Sequence, residues 1–191
     1  TPIIKETGFI NYNSLINSTN YEKFKPLINE IFDSLLTTHT EYLIYEQLID
    51  FYKNVEEDQL ALEYLFKIKP KYEDEPTYWQ NLLIHLSHIK NDNLVEYADS
   101  ALQIFGSEPL FYYFKGFGLY QQKKFQKAIN ELSKVNYKKI SNKALLIQYL
   151  MLLGDSYEQL DEFSSSDLYF KQLLEIDEND CLIRNNYSYY L

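Results

Sequence analysis

The chain has 191 residues, a net charge of −10 and a single cysteine, Cys181. With 46% hydrophobic and 24% charged residues it is typical of a soluble globular protein, and the acidic excess argues against nucleic acid or an anionic membrane as the main target. One cysteine excludes an internal disulfide framework, and no apolar run approaches the roughly 18 residues of a membrane span.

The first predicted elements are two helices within residues 7–40. Apolar residues recur there at helical spacing, which places them on one side of each helix. The first stripe consists of Phe9, Tyr12, Leu15 and Ile16, and the second consists of Phe24, Leu27, Ile31 and Leu35.

The same pair of stripes recurs over residues 41–74 and 75–107. Ala61 and Leu65 follow Leu27 and Ile31 at one common interval, so a repeat period is visible in the sequence. Polar turns are predicted at residues 53–58 and at 90–92. The stripe residues are Tyr45, Leu48, Ile49, Tyr52, Ala61, Leu65 and Ile68, then Trp79, Leu82, Leu83, Leu86, Leu94, Ala98 and Ala101.

Two further pairs follow over residues 108–145 and 146–179, with turns predicted at 122–124 and 160–162. Each first helix contains a glycine, Gly116 or Gly154, and glycine is a poor helix former. Close packing of a second helix would explain both glycines. Ala128 and Ser166, which follow the two glycines at the same interval, are the small residues predicted to face them. The second stripes consist of Phe125, Ala128, Leu132 and Val135, and of Phe163, Ser166, Phe170 and Leu173.

The pattern has two irregularities. Lys115 stands where the next pair has the apolar Leu153, and the interval from Gly116 to Gly154 exceeds the period by four positions. The extra residues fall within 136–142 and predict a longer loop or an extended helix. Residues 180–191 read as the first helix of another pair, inside which the chain stops.

Leu153, Gly154 and Tyr157, followed by Ser166, Phe170 and Leu173, resemble the tetratricopeptide repeat, a helix-turn-helix unit of about 34 residues. The resemblance covers residues 1–191 as a single array. It comprises a degenerate repeat at 7–40, repeats at 41–74, 75–107, 108–145 and 146–179, and a truncated repeat at 180–191. It implies an all-α, right-handed superhelical solenoid.

The source and location of the chain are suggested by two segments, GDSYEQLDEFSSSD and NNYSYYL. Both look like repeat proteins of bacterial cell envelopes, which favours the periplasmic side over the cytoplasm. The chain begins at Thr1 instead of methionine, so we expect that a segment upstream was removed.

The resemblance implies a non-enzymatic scaffold, without a cofactor, that binds a peptide or a partner helix in its concave groove. An aromatic patch rimmed by acids would suit an amphipathic or basic peptide. If the first helix of the fourth repeat is rotated by one position, Tyr113, Phe117 and Tyr120 belong to the core instead. The groove positions that the resemblance implies are Ile84, His88, Tyr113, Phe117, Tyr120, Met151, Asp155, Glu158, Asn185 and Tyr189.

Two alternatives to a self-contained scaffold stay open. The array could be a regulatory or targeting module of a larger protein, including an enzyme, or a structural array that associates with itself. Residues 115–143 hold eight lysines and one acid, whereas 155–180 hold nine acids and one base. These charge runs indicate either solvated faces or two docking surfaces of opposite charge, which could attract each other between molecules.

No motif for catalysis is apparent in the sequence. His85 and His88 lie one helical turn apart on one predicted helix, a spacing that could present two metal ligands, but no third ligand lies nearby. Cys181 has no identifiable histidine partner for nucleophilic catalysis. We therefore predict no metal site and no catalytic site.

Overall fold

The computed structural model describes residues 25–27, 29–30, 33–34, 37 and 42–176, and within them it contains α-helices and turns but no strand. The chain divides into two compact units, residues 1–73 and 74–191. The stripe predicted at Phe9 to Ile16 and the helix predicted at 180–191 lie outside the described residues.

The first unit contains the antiparallel pair α1 (Tyr42–Asn54) and α2 (Asp58–Tyr72). All the stripe residues predicted for this pair are buried. Aromatic contacts join the two helices, because Tyr52 stacks on Tyr64 at 5.3 Å and Tyr45 meets Tyr72 edge-on at 5.5 Å. Pro70 lies inside the last turn of α2.

Helical residues between 25 and 37 pack against this pair through polar side chains. The Tyr52 hydroxyl donates to Asn29 Oδ1 at 2.6 Å, Lys67 pairs with Asp33 at 2.9 Å, and Lys25 pairs with Glu57. The prediction that Leu27 belongs to the apolar stripe is wrong, since Leu27 is 48% exposed. Lys25, Asn29 and Asp33 face the pair. Each residue of an α-helix is rotated by about 100° from the one before, so Leu27 points about 200° away from Lys25.

The described part of the second unit, residues 74–176, contains six helices in three antiparallel pairs. Each helix contacts the next, and the first helices of the pairs also contact one another, α3 with α5 and α5 with α7. Pro76 and Pro109 occupy the first turn of α3 and α5, where a proline has no hydrogen bond to lose. The helices are α3 (Pro76–His88), α4 (Leu94–Phe105), α5 (Pro109–Gln121), α6 (Phe125–Leu132), α7 (Lys143–Glu158) and α8 (Phe163–Ile176).

The turn inside each of the four pairs lies where it was predicted, and all four have the same backbone geometry. A non-glycine residue with positive φ follows the end of each first helix: Glu56, Lys90, Lys123 and Asp161. The next residue's N–H returns to a carbonyl five positions earlier, as in Lys124 N to Leu119 O at 2.9 Å. This pair of features is the Schellman motif, which satisfies the carbonyls at a helix end. The first three motifs are almost evenly spaced along the chain, and the step from Lys123 to Asp161 is longer than the others.

The two helix glycines are sites of close packing, but their neighbours differ from those predicted. A Cβ on Gly154 would meet Phe170 Cζ at 2.9 Å, and one on Gly116 would meet Leu132 Cγ at 2.7 Å. The nearest atoms therefore belong to residues one helical turn beyond Ser166 and Ala128. A Cβ on Gly118, a glycine that the sequence did not single out, would meet Val95 Cγ2 of the preceding pair at 2.9 Å.

The predicted longer loop between the third and fourth pairs is present. It contains a 3-10 turn, Tyr137–Lys139, and ends at Asn142, whose side chain caps α7 by accepting from Leu145 N at 3.1 Å. One stripe prediction beyond it is wrong. Phe163, the first residue of α8, is 60% exposed.

Candidate functional site

The orientation of α5 is fixed by the lysine that interrupts its apolar stripe. Lys115 Nζ lies 2.6 Å from Asp99 of α4 and 3.0 Å from Glu131 of α6, and the Lys115 side chain is only 16% exposed. Lys115 therefore points between the neighbouring helices as a core residue would. Phe111, Phe114 and Leu119 are buried on the same helix.

The ion pairs around Lys115 hold its charge in place. Burial alone would lower the pKa of Lys115, but the hydrogen bonds to Asp99 and Glu131 raise it above its ordinary value. Burial alone would likewise raise the pKa of Glu131, yet the hydrogen bonds from Lys134 and Lys115 lower it. One cation thus joins α4, α5 and α6 across two successive helix pairs.

The aromatic residues Tyr113, Phe117 and Tyr120 lie on the other side of α5, half-buried, toward α7. Tyr113 stacks on Phe117 with ring centroids 6.0 Å apart and contacts Tyr149 of α7 at 6.1 Å. Burial raises the pKa of Tyr113 to about 12. The three residues pack against the cluster formed by Tyr149, Leu152 and Leu153 but keep part of their surface in solvent.

Two predicted acids of α7 lie next to this aromatic strip. Burial, followed by repulsion from Glu158, raises the pKa of Asp155 to about 6. Burial and then the charges of Asp155 and Glu158 raise the pKa of Tyr120. The structure therefore brings Tyr120, Asp155 and Glu158 together, although a whole repeat separates Tyr120 from the acids in the sequence. These three residues and three neighbours form what we call the aromatic–acidic face, namely Tyr113, Phe117, Tyr120, Met151, Asp155 and Glu158.

Met151 is the sixth member of the aromatic–acidic face and lies half-buried on α7, where it packs against Leu150 and Phe170. The remaining predicted groove residues are not part of the aromatic–acidic face. Ile84 is 37% exposed and His88 is exposed, both on α3, the helix that packs beside α5. Asn185 and Tyr189 lie outside the described residues.

The histidine pair on α3 does not form a joint site. His85 is fully buried and His88 is exposed, so the two side chains face different surroundings. In the part of the chain that the structure describes, no group of three or more His, Cys, Asp or Glu residues could hold a metal ion. Among those same residues, no helix combines the length and the apolar character needed to cross a bilayer.

A pocket that the sequence did not predict lies between α7, α8 and the 3-10 turn, with a volume of about 340 Å³. Its wall is fixed by the Tyr137 hydroxyl, which donates to Gln172 Oε1 at 3.0 Å. This wall is built by the extra residues that lengthen the interval between the third and fourth pairs. Those extra residues were the one sign of the pocket in the sequence. The lining residues are Tyr137, Lys138, Leu146, Leu150, Gln172, Glu175 and Ile176.

Comparison with known proteins identifies the fold. No protein-family model and no curated protein matches the sequence. Among solved structures, MamA from residue 41 to its end, of Desulfovibrio magneticus RS-1, is similar with a TM-score of 0.64 and 13% identity, over 89% of this chain and 95% of that one. The MamA RS-1 ArsTM double mutant is similar with a TM-score of 0.64 and 15% identity, over 77% of this chain and 81% of that one. The MamA MSR-1 C2 structure is similar with a TM-score of 0.58 and 15% identity, over 87% of this chain and 95% of that one. The helix pairs, their recurring turns and these neighbours show that the chain has a tetratricopeptide-type fold, an all-α solenoid of helix-turn-helix repeats.

Proposed function

We propose that this chain is a non-enzymatic protein–protein interaction scaffold whose aromatic–acidic face binds a peptide or a partner helix. Repeat solenoids present extended surfaces on which such segments dock. The observation that carries the proposal is the combination of half-buried aromatic rings with two adjacent acids. Tyr120 lies beside Asp155 and Glu158, and its pKa is raised first by burial and then by the charges of these acids.

The chemistry of the face favours a basic, amphipathic partner. Asp155 is half-buried beside another acid, so its charged form is disfavoured, and its pKa rises to about 6. A lysine or arginine of a partner would relieve that repulsion. Aromatic rings such as Tyr113 and Phe117 offer apolar contact area at low conformational cost, which makes them suitable anchors for the apolar side of a helix.

The test compares two double variants that remove the same charge. Asp155→Asn with Glu158→Gln keeps the side-chain shapes of the face but removes its acids. Asp92→Asn with Glu96→Gln removes two exposed acids from the α3–α4 turn and α4 instead. Each protein is used to capture partners from a native lysate, and the captured proteins are identified by mass spectrometry.

We expect both the parent and the control variant to capture a partner that the face variant does not retain. The affinity of the face variant should be lower by roughly tenfold or more, because two charge-assisted contacts disappear. The captured protein should contain a basic amphipathic segment that binds alone in a fluorescence anisotropy titration. Equal capture by all three proteins would contradict the assignment of the face. Circular dichroism of each variant establishes that the fold is intact.

A further inference from the structure

The pocket between α7, α8 and the 3-10 turn shares no residue with the aromatic–acidic face. Leu146, Leu150 and Ile176 give it an apolar lining, while Lys138 and Glu175 contribute the charged groups. Its volume of about 340 Å³ lies at the lower end of the range for binding pockets, which suits a single large side chain better than an extended ligand.

The pocket is also preformed. The hydroxyl of Tyr137 donates to Gln172 of α8, and the Tyr137 ring meets Tyr169 edge-on at 5.9 Å. The 3-10 turn that carries Tyr137 is closed at its start by Asn136, whose side chain accepts from Lys138 N at 3.2 Å. A wall held by such contacts loses little conformational entropy when a ligand binds, and this raises affinity.

The wall that the 3-10 turn contributes to the pocket is basic, whereas α8 contributes the acid Glu175 to the lining. Between Glu131 and Asp155 the sequence contains four lysines and no acid, in a protein of net charge −10. Lys138 lines the pocket, and Lys138 and Lys139 are both exposed on the 3-10 turn. The exposed lysines of the 3-10 turn favour an anionic partner along this wall, at a place where the insertion also contributes to an apolar cavity.

We propose that this pocket is a second docking site, which takes an acidic segment of a partner protein. One bulky apolar side chain of that segment enters the pocket, and flanking carboxylates lie beside Lys138 and Lys139. A buried apolar anchor within a polar rim is a common arrangement in protein interfaces. The scaffold then has two docking surfaces of opposite charge on its second unit, one selecting basic segments and the other selecting acidic ones.

The test uses a library of short random peptides displayed on phage, selected against the full chain and sequenced. Selected peptides are then titrated by fluorescence anisotropy against four proteins. These are the parent, Lys138→Glu, the pocket-filling Leu146→Trp, and Lys127→Glu. The last is the matched control, since Lys127 is an exposed lysine of α6 outside the pocket and its reversal changes the net charge equally.

We expect enriched peptides in which Asp or Glu flanks a Leu, Ile, Phe or Trp residue. Their affinity should fall roughly tenfold or more with Lys138→Glu and with Leu146→Trp, and by less than about threefold with Lys127→Glu, because reversing a charge at an interface costs more than reversing one outside it. The Asp155→Asn/Glu158→Gln variant should bind them like the parent, which separates this site from the aromatic–acidic face.

Three results would overturn the proposal. The first is a selection that enriches no sequence, and the second is a set of peptides that Lys138→Glu and Lys127→Glu weaken equally. The third is a set of peptides that resemble residues 177–191 of this chain, which would assign the pocket to an intramolecular occupant. Circular dichroism of Lys138→Glu and Leu146→Trp shows whether either change disturbs the fold, and the two variants act on the pocket in different ways.

Discussion

Asp155 is a residue at which the proposed function and stability conflict. Its pKa is raised from 3.8 to about 6 by burial and by Glu158, so at neutral pH the folded protein holds a carboxylate that would be better solvated in the unfolded chain. A raised carboxyl pKa destabilises the folded state fully above that pKa, and the cost disappears as the pH falls toward the unfolded value.

We therefore expect Asp155→Asn to raise the free energy of unfolding at pH 7 by roughly 1–2 kcal/mol, somewhat less than a full two-unit shift would give, because the side chain keeps some contact with water. The gain over the parent should shrink as the pH falls through 6 and should vanish near pH 4. Urea unfolding of both proteins across this pH range measures it. A gain that is constant with pH would show that ionisation of Asp155 is not its cause.

A second effect at the residue scale concerns the helix-ending turns. Lys123 has a φ of 58°, a backbone conformation that disfavours side chains with a Cβ. We expect Lys123→Gly to raise the free energy of unfolding by roughly 0.5–1 kcal/mol, since relief of that strain exceeds the added entropy of glycine in the unfolded chain.

The neighbouring lysine provides the control for this prediction. Lys124 is also exposed but has a φ of −94°, which any residue adopts. Lys124→Gly should therefore bring no gain. If chemical denaturation shows equal gains for both changes, an effect of lysine charge would explain them better than backbone strain.

At the scale of the helix, the close approach of α7 and α8 depends on the missing side chain of Gly154. A Cβ there would lie 2.9 Å from the Phe170 ring, and Phe170 is buried with little room to move. We expect Gly154→Leu to lower the free energy of unfolding by roughly 1–3 kcal/mol through overpacking. Gln159→Leu, an exposed position just beyond α7, should change it little. Unchanged denaturation midpoints for Gly154→Leu would contradict the packing of this pair.

Helix positions could be predicted from the sequence because stripes and turns are local features. Trp79, Leu82 and Leu86 are buried as their spacing indicated, and the turn at Lys90 ends α3 where it was predicted. Contacts between helices were harder to predict. Facing residues depend on how far two helices slide along each other, and the atoms nearest to Gly154 belong to Phe170, one helical turn beyond the predicted Ser166.

Lys115 illustrates the same limit at a single position. Its place in an apolar stripe left a rotation of α5 open, whereas the helix buries the lysine between Asp99 and Glu131. Neither acid is close to Lys115 in the sequence, so the pattern alone could not reveal the pairing. Asp99 precedes Lys115 and Glu131 follows it, each on the second helix of a different pair.

At the scale of the whole molecule, the repeat period predicted a solenoid, and the fold confirms this. The period says much less about binding, because the positions that would contact a partner are those that packing leaves free to vary. Through the resemblance, the sequence did suggest every member of the aromatic–acidic face. Nothing in it indicated the pocket between α7 and α8 beyond the extra residues themselves, since a cavity results from contacts between three separate segments.

Those extra residues also affect how the array can change over time. Units of equal length can be duplicated or lost by recombination within a gene while every helix keeps its phase, and the turns at Glu56, Lys90 and Lys123 are spaced almost evenly. The last step, from Lys123 to Asp161, is longer, so an exchange across it would shift the helices that follow or remove the 3-10 turn. Exchanging the helix pair formed by α7 and α8 with another pair would therefore not preserve the spacing of the array, because the insertion precedes this pair alone among the described ones.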